Sequence, residues 1–348
     1  MSPDHKTQTP SSAFDNAEVE EGPSGMQLAA ASMLAIAISA TAVLAIALVT
    51  GPDQVERVFG HLHPGWIGIC VAASLLAYPA YMVGYLALIS ATGRRPATLR
   101  PAWRTVLAGF GPFSIGGGFR VDLEALRALD KDEHVARVQV LALGALEWAA
   151  LAPLACVASI GLLAQGSDVT PSLLWPWATA VPVGFGLAIW VSEPRRALRL
   201  SRIRGHGRHS LLRVLEAVGV LRTLIRRPRK HARAWLGIGL YWAADITVLY
   251  GALRACGVRL GVGGLIIAYA TGYVATRRSL PLGGAGVTEA LMTYALYWVH
   301  VPLASALAAV VIYRGFNLLA LAAPGVISYR GLLKLIREWE DRRPGTPA

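Results

Sequence analysis

Long apolar stretches dominate this sequence and limit the folds that it can adopt. Six of them approach or exceed the roughly 18–20 residues that a helix needs to cross the hydrocarbon core of a bilayer. They lie at 26–50, 65–90, 136–163, 172–191, 234–256 and 302–327. Of the 348 residues, 54% are hydrophobic and only 16% are charged, and the mean hydropathy is +0.48. We therefore predict an all-α polytopic membrane protein.

Basic residues cluster between these stretches and predict the topology. The formal net charge is +12, and basic segments lie at 94–104, 193–233 and 330–343. Positively charged loops face the cytoplasm and anionic lipid, so these segments share the cytoplasmic side, and nucleic acid is not implied as a partner. We expect a protein of the cytoplasmic membrane with both termini in the cytoplasm. Its parts would be a disordered tail at 1–25, an integral membrane domain at 26–328 and a basic cytoplasmic tail at 329–348.

The segment 193–233 is the longest hydrophilic part of the chain. It carries thirteen Arg and Lys residues against Glu193 and Glu216. Between 211 and 224, leucines and valines form an apolar stripe beside basic residues, which predicts an amphipathic helix. Two interpretations are open: the helix lies on the inner leaflet, or it packs on the spans.

A glycine-rich break interrupts the membrane region late in the chain. Residues 277–289 read RRSLPLGGAGVTE, in which Pro281 and three glycines stop one helix and Glu289 opens the next. Irregular backbone at membrane depth is tolerated only where protein or a water-filled cavity meets its polar groups. Broken helices of this kind form transporter sites, with a half-helix N-terminus facing an anion. The alternative is a polar loop between two spans, in which Arg277 and Arg278 are topology anchors.

An earlier segment, 103–134, has the same character and reads as a hairpin that dips into the membrane. Residues 110–126 read FGPFSIGGGFRVDLEAL, and residues 278–291 read RSLPLGGAGVTEAL; both place a proline and a glycine cluster before a helix start that ends in Glu-Ala-Leu. We assign Asp122 to the polar side of the second arm. The basic segments predict that the first element enters from the cytoplasm and the second from outside, as in an inverted repeat. The fold would then contain about eight membrane-inserted helices, including two re-entrant or broken hairpins.

Three ionisable residues, Glu147, Asp245 and Arg314, lie about halfway along apolar spans. A charge at the bilayer centre is unfavourable by about 2.5–3.5 kcal/mol on insertion scales, so such residues pair or face water. Asn317 follows Arg314 on the same helix face, and together they can offer a guanidinium fork and an amide to one anionic group. The alternative is a structural ion pair of Arg314 with Glu147 or Asp245.

Two further charged residues also have a structural alternative. Arg120 could extend along the membrane interface without binding a ligand. Glu289 could serve only as a first-turn acid that complements the helix dipole. Signatures of metal or cofactor chemistry are weak: the three cysteines form no CxxC pair, and His61 and His63 have no third ligand nearby. The sequence has no His-Glu-x-x-His or P-loop motif, so we predict no catalytic residue, no metal and no cofactor.

These elements resemble the transmembrane region of lysylphosphatidylglycerol synthase, also called the flippase-like family. PLGGAGVTEALMTYAL is similar to the family's Pro-x-Gly-Gly-x-Gly-x-x-Glu element, and VPLASALAAVVIYRGFNLLALAAPGVIS to its Val-Pro…Ala…Tyr-Arg closing span. PFSIGGGFRVDLEAL resembles its Pro…Gly-Gly…Arg element. The resemblance extends over residues 30–328 and places Arg120, Glu289 and Arg314 at motif positions. Ser279 stands where the family pattern usually has a proline.

The resemblance implies a multi-span protein that moves or binds an anionic lipid, either a phospholipid or a polyprenyl phosphate. Arg120 and Arg314 would hold the phosphate together, aided by the amides of Gly283, Gly284 and Gly286. Glu289, with Asp245 or Glu147, would contact a cationic head group or carry protons. Because the chain ends soon after the predicted last span, we expect the membrane module without the aminoacyl-transferring soluble domain.

Two other functions stay open at this point. One is a non-catalytic membrane partner that presents lipid to a separate soluble transferase or glycosyltransferase, which co-purification without lipid movement would favour. The other is an enzyme that modifies a lipid head group, which turnover of a labelled lipid by the purified protein would favour.

Overall fold

The computed structural model describes residues 24–92, 98–114, 117–130, 132–193, 196, 208–273 and 278–341. Nearly all of the predicted disordered tail at 1–25 lies outside these ranges, as do Arg277 and residues 342–348. Within the described residues, six helices are long and apolar enough to cross a membrane. They are Gly25–Thr50, Pro64–Thr92, Glu133–Ala164, Pro171–Val191, Ala232–Ala255 and Leu303–Trp339. The predicted class, an all-α multi-pass membrane protein, is confirmed.

We number the helices in chain order. They begin with α1 (Gly25–Thr50), α2 (Pro52–Gly60), α3 (Pro64–Thr92), α4 (Leu99–Gly109), α5 (Gly118–Asp130), α6 (Glu133–Ala164) and α7 (Pro171–Val191). They continue with α8 (Arg208–Arg226), α9 (Ala232–Ala255), α10 (Val262–Gly272), α11 (Val287–Trp298), α12 (Leu303–Arg314) and α13 (Ala320–Asp341). A 3₁₀ turn, Pro281–Gly284, precedes α11, and a π-helical turn, Gly315–Leu319, joins α12 to α13.

A short helix, α2, lies between the first two spans. Ser24 starts α1 through a capping box with Gln27, and Gly51 ends it with φ of +98°. Pro52 then begins α2 at a position where a proline interrupts no helical hydrogen bond. The helix is amphipathic, with Val55 and Val58 half-buried and its charged side chains exposed, but nine residues are too few to give a clear helical period in the sequence.

Helices α3 and α9 form the centre of the core, and their backbones touch. A Cβ at Gly237 of α9 would lie 2.3 Å from the Gly84 nitrogen of α3 and 2.8 Å from the Ala80 carbonyl oxygen. Small residues allow this approach, which is a common way for helices to associate in membranes. The contact positions Tyr81 on α3 and Asp245 on α9 in the interior of the protein.

Helix α8 resolves the two interpretations of the basic segment in favour of packing on the spans. Leu215 and Leu224 are buried, and the Arg222 guanidinium donates to the Ser192 carbonyl oxygen at 2.5 Å. His134 Nε2, at the start of α6, lies 2.6 Å from Glu216 Oε2. The apolar stripe of α8 therefore packs on the membrane spans.

The last helix extends beyond the end predicted for the membrane domain. Helices α12 and α13, joined by the π-helical turn, run without interruption from Leu303 to Asp341, so the boundary expected at 328 falls inside a helix. Tyr329 and Leu332 are buried against Phe113 and Val121. The segment after 328 is therefore part of the fold as far as α13 extends, because these apolar side chains pack on the first broken element.

The connectivity between the two broken elements favours opposite orientations in the membrane. The first is α4, a turn and α5; the second is α10, the 3₁₀ turn and α11. Among the described residues, three candidate spans, α6, α7 and α9, separate them. An odd number of crossings makes the two elements approach from opposite faces, which is the arrangement expected of an inverted repeat.

Candidate functional site

The two broken elements meet backbone to backbone. The Phe119 amide donates to the Arg278 carbonyl oxygen at 3.3 Å, and the Leu282 amide donates to the Ser114 carbonyl oxygen at 2.9 Å. Gly117 has φ of +77°, and a Cβ there would lie 2.7 Å from the Arg278 carbonyl oxygen. Only glycine fits this position both conformationally and sterically. The structure thus brings together the two turns that the sequence patterns singled out.

A run of left-handed residues forms the turn of the second element. Leu282, Gly283, Gly284 and Gly286 have φ of +52°, +63°, +70° and +80°. A leucine in this region is uncommon and is held there by its surroundings. The turn directs the Gly283 carbonyl oxygen toward Arg314, whose Nη2 donates to it at 3.2 Å. The contact from Gly283 is thus made by its carbonyl; a role for the amides of the three glycines stays a prediction.

Arg314 forms a buried ion pair with Glu289. Arg314 Nε lies 2.6 Å from Glu289 Oε1, and the two side chains are 4% and 0% exposed. The Ser39 hydroxyl donates to the same carboxylate oxygen, while no described residue donates a hydrogen bond to Glu289 Oε2. The structural pairing considered from sequence, with Glu147 or Asp245, is wrong, because α11 and not α6 or α9 presents its acid to Arg314. Removing either partner would leave an uncompensated buried charge.

Asn317 lies within the π-helical turn and contacts a different helix from Arg314. Its Oδ1 accepts a hydrogen bond from the Tyr78 hydroxyl on α3 at 3.1 Å. The predicted fork of Arg314 and Asn317 on one helix face assumed regular α-helical spacing, which the π-helical turn changes. Such turns occur frequently at functional sites.

Asp245 is held by tyrosine hydroxyls. Its Oδ2 accepts hydrogen bonds from Tyr269 at 2.5 Å and from Tyr313 at 2.6 Å. Within the described residues no ion pair joins Asp245 to a cation. Tyr313 precedes Arg314 on α12, so one helix contacts both the acid and the ion pair.

Glu147 belongs to a second polar cluster, beside Arg278. Its Oε1 accepts a hydrogen bond from the Tyr81 hydroxyl at 2.5 Å and lies 4.0 Å from Arg278 Nε. Trp242 Nε1 donates to the Glu147 carbonyl oxygen at 3.0 Å. The neighbouring cation therefore comes from the second broken element and not from α12.

Arg278 and Asp122 are the site residues that sequence reasoning missed. Arg278 is 2% exposed and donates through Nη2 to Asp122 Oδ2, and Asp122 is fully buried. The topology-anchor interpretation of Arg278 is therefore wrong. Assigning Asp122 to the polar side of α5 was also wrong. Asp122 lies four residues after Gly118 and four before Leu126, so helical spacing places it on the buried face.

Arg120 faces outward and does not reach Arg314. Its side chain is 68% exposed and pairs with Glu124 at 3.2 Å. Side chains two residues apart on an α-helix are separated by about 200° around its axis. Because Asp122 faces the protein interior, Arg120 faces outward. The prediction that Arg120 and Arg314 hold one phosphate together is thus wrong. Arg120 instead lines a groove of about 590 Å³ between α1, α5 and α13, together with Gln27, Leu28, Ala30, Ala31, Leu34, Phe113, Ser114, Val121, Glu124 and Tyr329.

Comparison with protein families identifies the chain. The family described as the lysylphosphatidylglycerol synthase TM region matches residues 32–325, which include both broken elements and the π-helical turn. The chain belongs to this family. Membership associates the chain with membrane lipid, and no curated protein matches it significantly.

The residues at the motif positions of the lysylphosphatidylglycerol synthase transmembrane region occupy two settings in this member. Glu289 and Arg314 form the buried pair beside the second turn. Arg120 lies at the groove on the outside of α5. At these motif positions, the guanidinium of Arg120 is therefore exposed and that of Arg314 is buried.

Proposed function

We propose that this chain moves an anionic lipid, a phospholipid or a polyprenyl phosphate, between the leaflets of the cytoplasmic membrane. The observation that carries the proposal is the contact of two oppositely oriented broken elements, with the Arg314–Glu289 pair beside it. Broken helices bring polar backbone groups to membrane depth, where transporters bind polar cargo. Family membership favours lipid as that cargo.

The groove at Arg120 supports the first step, the capture of a lipid. Its lining combines polar groups from Gln27, Arg120 and Glu124 with the apolar face of α1 at Leu28 and Leu34. An amphipathic lipid would place its phosphate on Arg120, whose guanidinium matches two phosphate oxygens at once. Its hydrocarbon chain would follow α1.

The buried pair supports the second step. Arg314 would receive the phosphate after Arg120 and not jointly with it, and Glu289 would then release the guanidinium. The turn that contains Gly283, Gly284 and Gly286 precedes Glu289 in the sequence. Asn317 follows Arg314 within the π-helical turn. In this proposal Asp245 and Glu147 contact a cationic head group or carry protons.

Rocking of one half of the repeat against the other would expose the site to each leaflet in turn. The basic residues at 94–104, 193–233 and 330–343 favour a cytoplasmic location for both termini. The groove beside Gln27, near the start of α1, would then open toward the inner leaflet.

A leaflet assay in vesicles tests the proposal. Purified protein is reconstituted with fluorescent phosphatidylglycerol, and a membrane-impermeant reductant measures how fast the inner-leaflet probe reaches the outer leaflet. The variant Glu289→Gln/Arg314→Gln neutralises both members of the pair. A hydrogen bond to a charged group contributes about 1.5–3 kcal/mol, so we expect transport to be slower by about tenfold or more.

The matched control is Arg57→Gln, which removes an exposed arginine of α2 whose side chain, within the described part of the chain, donates to the Asp53 carbonyl oxygen alone. It should transport at the native rate. Native-rate transport by the double variant would contradict the role of Arg314. A native protein that binds phosphatidylglycerol without moving it would contradict translocation and support presentation of lipid to a separate transferase.

A further inference from the structure

Arg278 is a buried cation whose hydrogen-bonding capacity is mostly unused. Its Nη2 donates to Asp122 Oδ2, whereas Nε and Nη1 have no hydrogen-bond partner among the residues that the structure describes. Within the same described part of the chain, Asp122 Oδ1 has no hydrogen-bond partner either. Leaving buried donors of a charged group unmet is unfavourable, and folded proteins rarely do so without a functional reason.

Aromatic rings and a glycine hold the guanidinium in place. Its central carbon lies 4.5 Å from the ring centre of Phe110, 4.9 Å from that of Tyr81 and 5.5 Å from that of Phe119. A Cβ at Gly109 would lie 2.7 Å from Nη2. The rings stabilise the positive charge and fix the group in place, yet they supply no acceptor for its N–H groups.

The position of Arg278 connects it to both broken elements. It begins the turn of the second element, and its carbonyl oxygen accepts the hydrogen bond from Phe119 of the first. Its side chain crosses to Asp122 on α5. Any movement that separates the two elements must therefore also separate Arg278 from Asp122.

We propose that Arg278 is a further phosphate-binding residue and that Asp122 is the anion that a lipid phosphate replaces. A phosphodiester and a carboxylate each carry one negative charge, so the exchange keeps the charge around Arg278 constant. Phosphate oxygens can meet two guanidinium donors at once, which would satisfy groups that Asp122 leaves unmet. This inference rests on the proposed function for its placement along a lipid path, but the binding step can be measured separately.

The test removes the anion that is hydrogen-bonded to Arg278, leaves Glu147 in place 4.0 Å from Arg278 Nε, and measures binding. The substitution Asp122→Asn keeps the shape of the side chain and its acceptor oxygen but removes its charge. Purified Asp122→Asn should bind dioctanoyl phosphatidylglycerol about tenfold more tightly than the native protein, because the lipid no longer displaces a carboxylate. The further change in Asp122→Asn/Arg278→Gln should abolish this gain.

Control ligands and a control variant define the site. Dioctanoylglycerol lacks the phosphate and should show no gain in Asp122→Asn, and inorganic phosphate should bind more weakly than the lipid. Asp53→Asn makes the same change at an exposed acid of α2 and should leave lipid affinity unchanged.

Three results would overturn the inference. They are an unchanged lipid affinity in Asp122→Asn, an equal gain in the double variant, and inorganic phosphate binding as tightly as the lipid. Should Asp122→Asn fail to fold, Arg278→Lys keeps the charge and loses the fork; native affinity in that variant would equally exclude the site. If the protein does not transport lipid in vesicles, the proposed function fails, but a positive binding result at Arg278 still stands. The two proposals can therefore fail separately.

Discussion

Neutralising one member of the Arg314–Glu289 pair should destabilise the protein more than neutralising both. Nε and Oε1 lie 2.6 Å apart, with side chains 4% and 0% exposed, so water screens the pair very little. Glu289→Gln leaves the Arg314 charge buried without a counter-ion, and Arg314→Gln does the same to the carboxylate. Breaking such a pair from one side costs about 3–5 kcal/mol.

The double variant Glu289→Gln/Arg314→Gln removes both charges together. Its two amides can still hydrogen-bond to each other and to Ser39 or Gly283, and neutral bonds of this kind contribute about 0.5–1.5 kcal/mol each. We therefore expect the double variant to be more stable than either single variant. Thermal unfolding in detergent micelles is the assay; at about 2–4 °C per kcal/mol, each single variant should lose roughly 6–20 °C in apparent melting temperature.

The exposed pair Arg120–Glu124 provides the matched control. Its side chains are 68% and 30% exposed and four residues apart on one helix. Converting both residues to Gln, singly or together, should change stability by less than about 1 kcal/mol. Additive losses at Glu289 and Arg314 would refute the reasoning, because uncoupled sites do not share a buried ion pair.

Three other perturbations follow from the packing. Gly237→Ala should destabilise the protein by about 1–3 kcal/mol relative to Gly239→Ala. A Cβ at 237 would lie 2.3 Å from the α3 backbone, whereas one at 239 meets no described atom within 4 Å. Equal melting temperatures of the two variants would contradict this close contact. Gly117→Ala should reduce both stability and lipid transport. Gly166 is also left-handed, at φ of +62°, but a Cβ there meets no described atom within 4 Å, so Gly166→Ala should lose only about 1–2 kcal/mol of stability. A transport rate reduced equally in both variants would contradict a special role for the contact between the two broken elements. Burial raises the pKa of the Cys256 thiol to about 12, so maleimide should label this thiol slowly at pH 7 and faster as the pH rises. Labelling at the rate of the unfolded protein would contradict this expectation and show that the thiol is accessible.

The spans could be predicted from sequence because their length is set by the membrane itself. The predicted 26–50 became Gly25–Thr50, and the predicted 172–191 became Pro171–Val191. The prolines inside two of these spans do not end the helices, because Pro79 and Pro153 both lie within continuous helices. The short helix α2 was missed, because its nine residues do not fill the window of about 11–18 residues over which a helical period is read.

The broken elements were also visible in the sequence, because glycine and proline clusters act locally on the backbone. The hydrogen bonds of Phe119 and Leu282 show that the two elements contact each other. The buried position of Asp122 was within reach of the same local reasoning. Helical spacing from Gly118 would have placed it on the inner face.

By itself, the sequence determined the number of candidate spans, the two breaks and the charged residues that must find partners in the membrane. Tertiary structure alone decided those partners: Glu289 for Arg314, Asp122 for Arg278 and two tyrosines for Asp245. The reason is physical. Hydrophobic length and backbone breaks are properties of neighbouring residues, whereas an ion pair depends on which helices touch and how each is rotated about its axis.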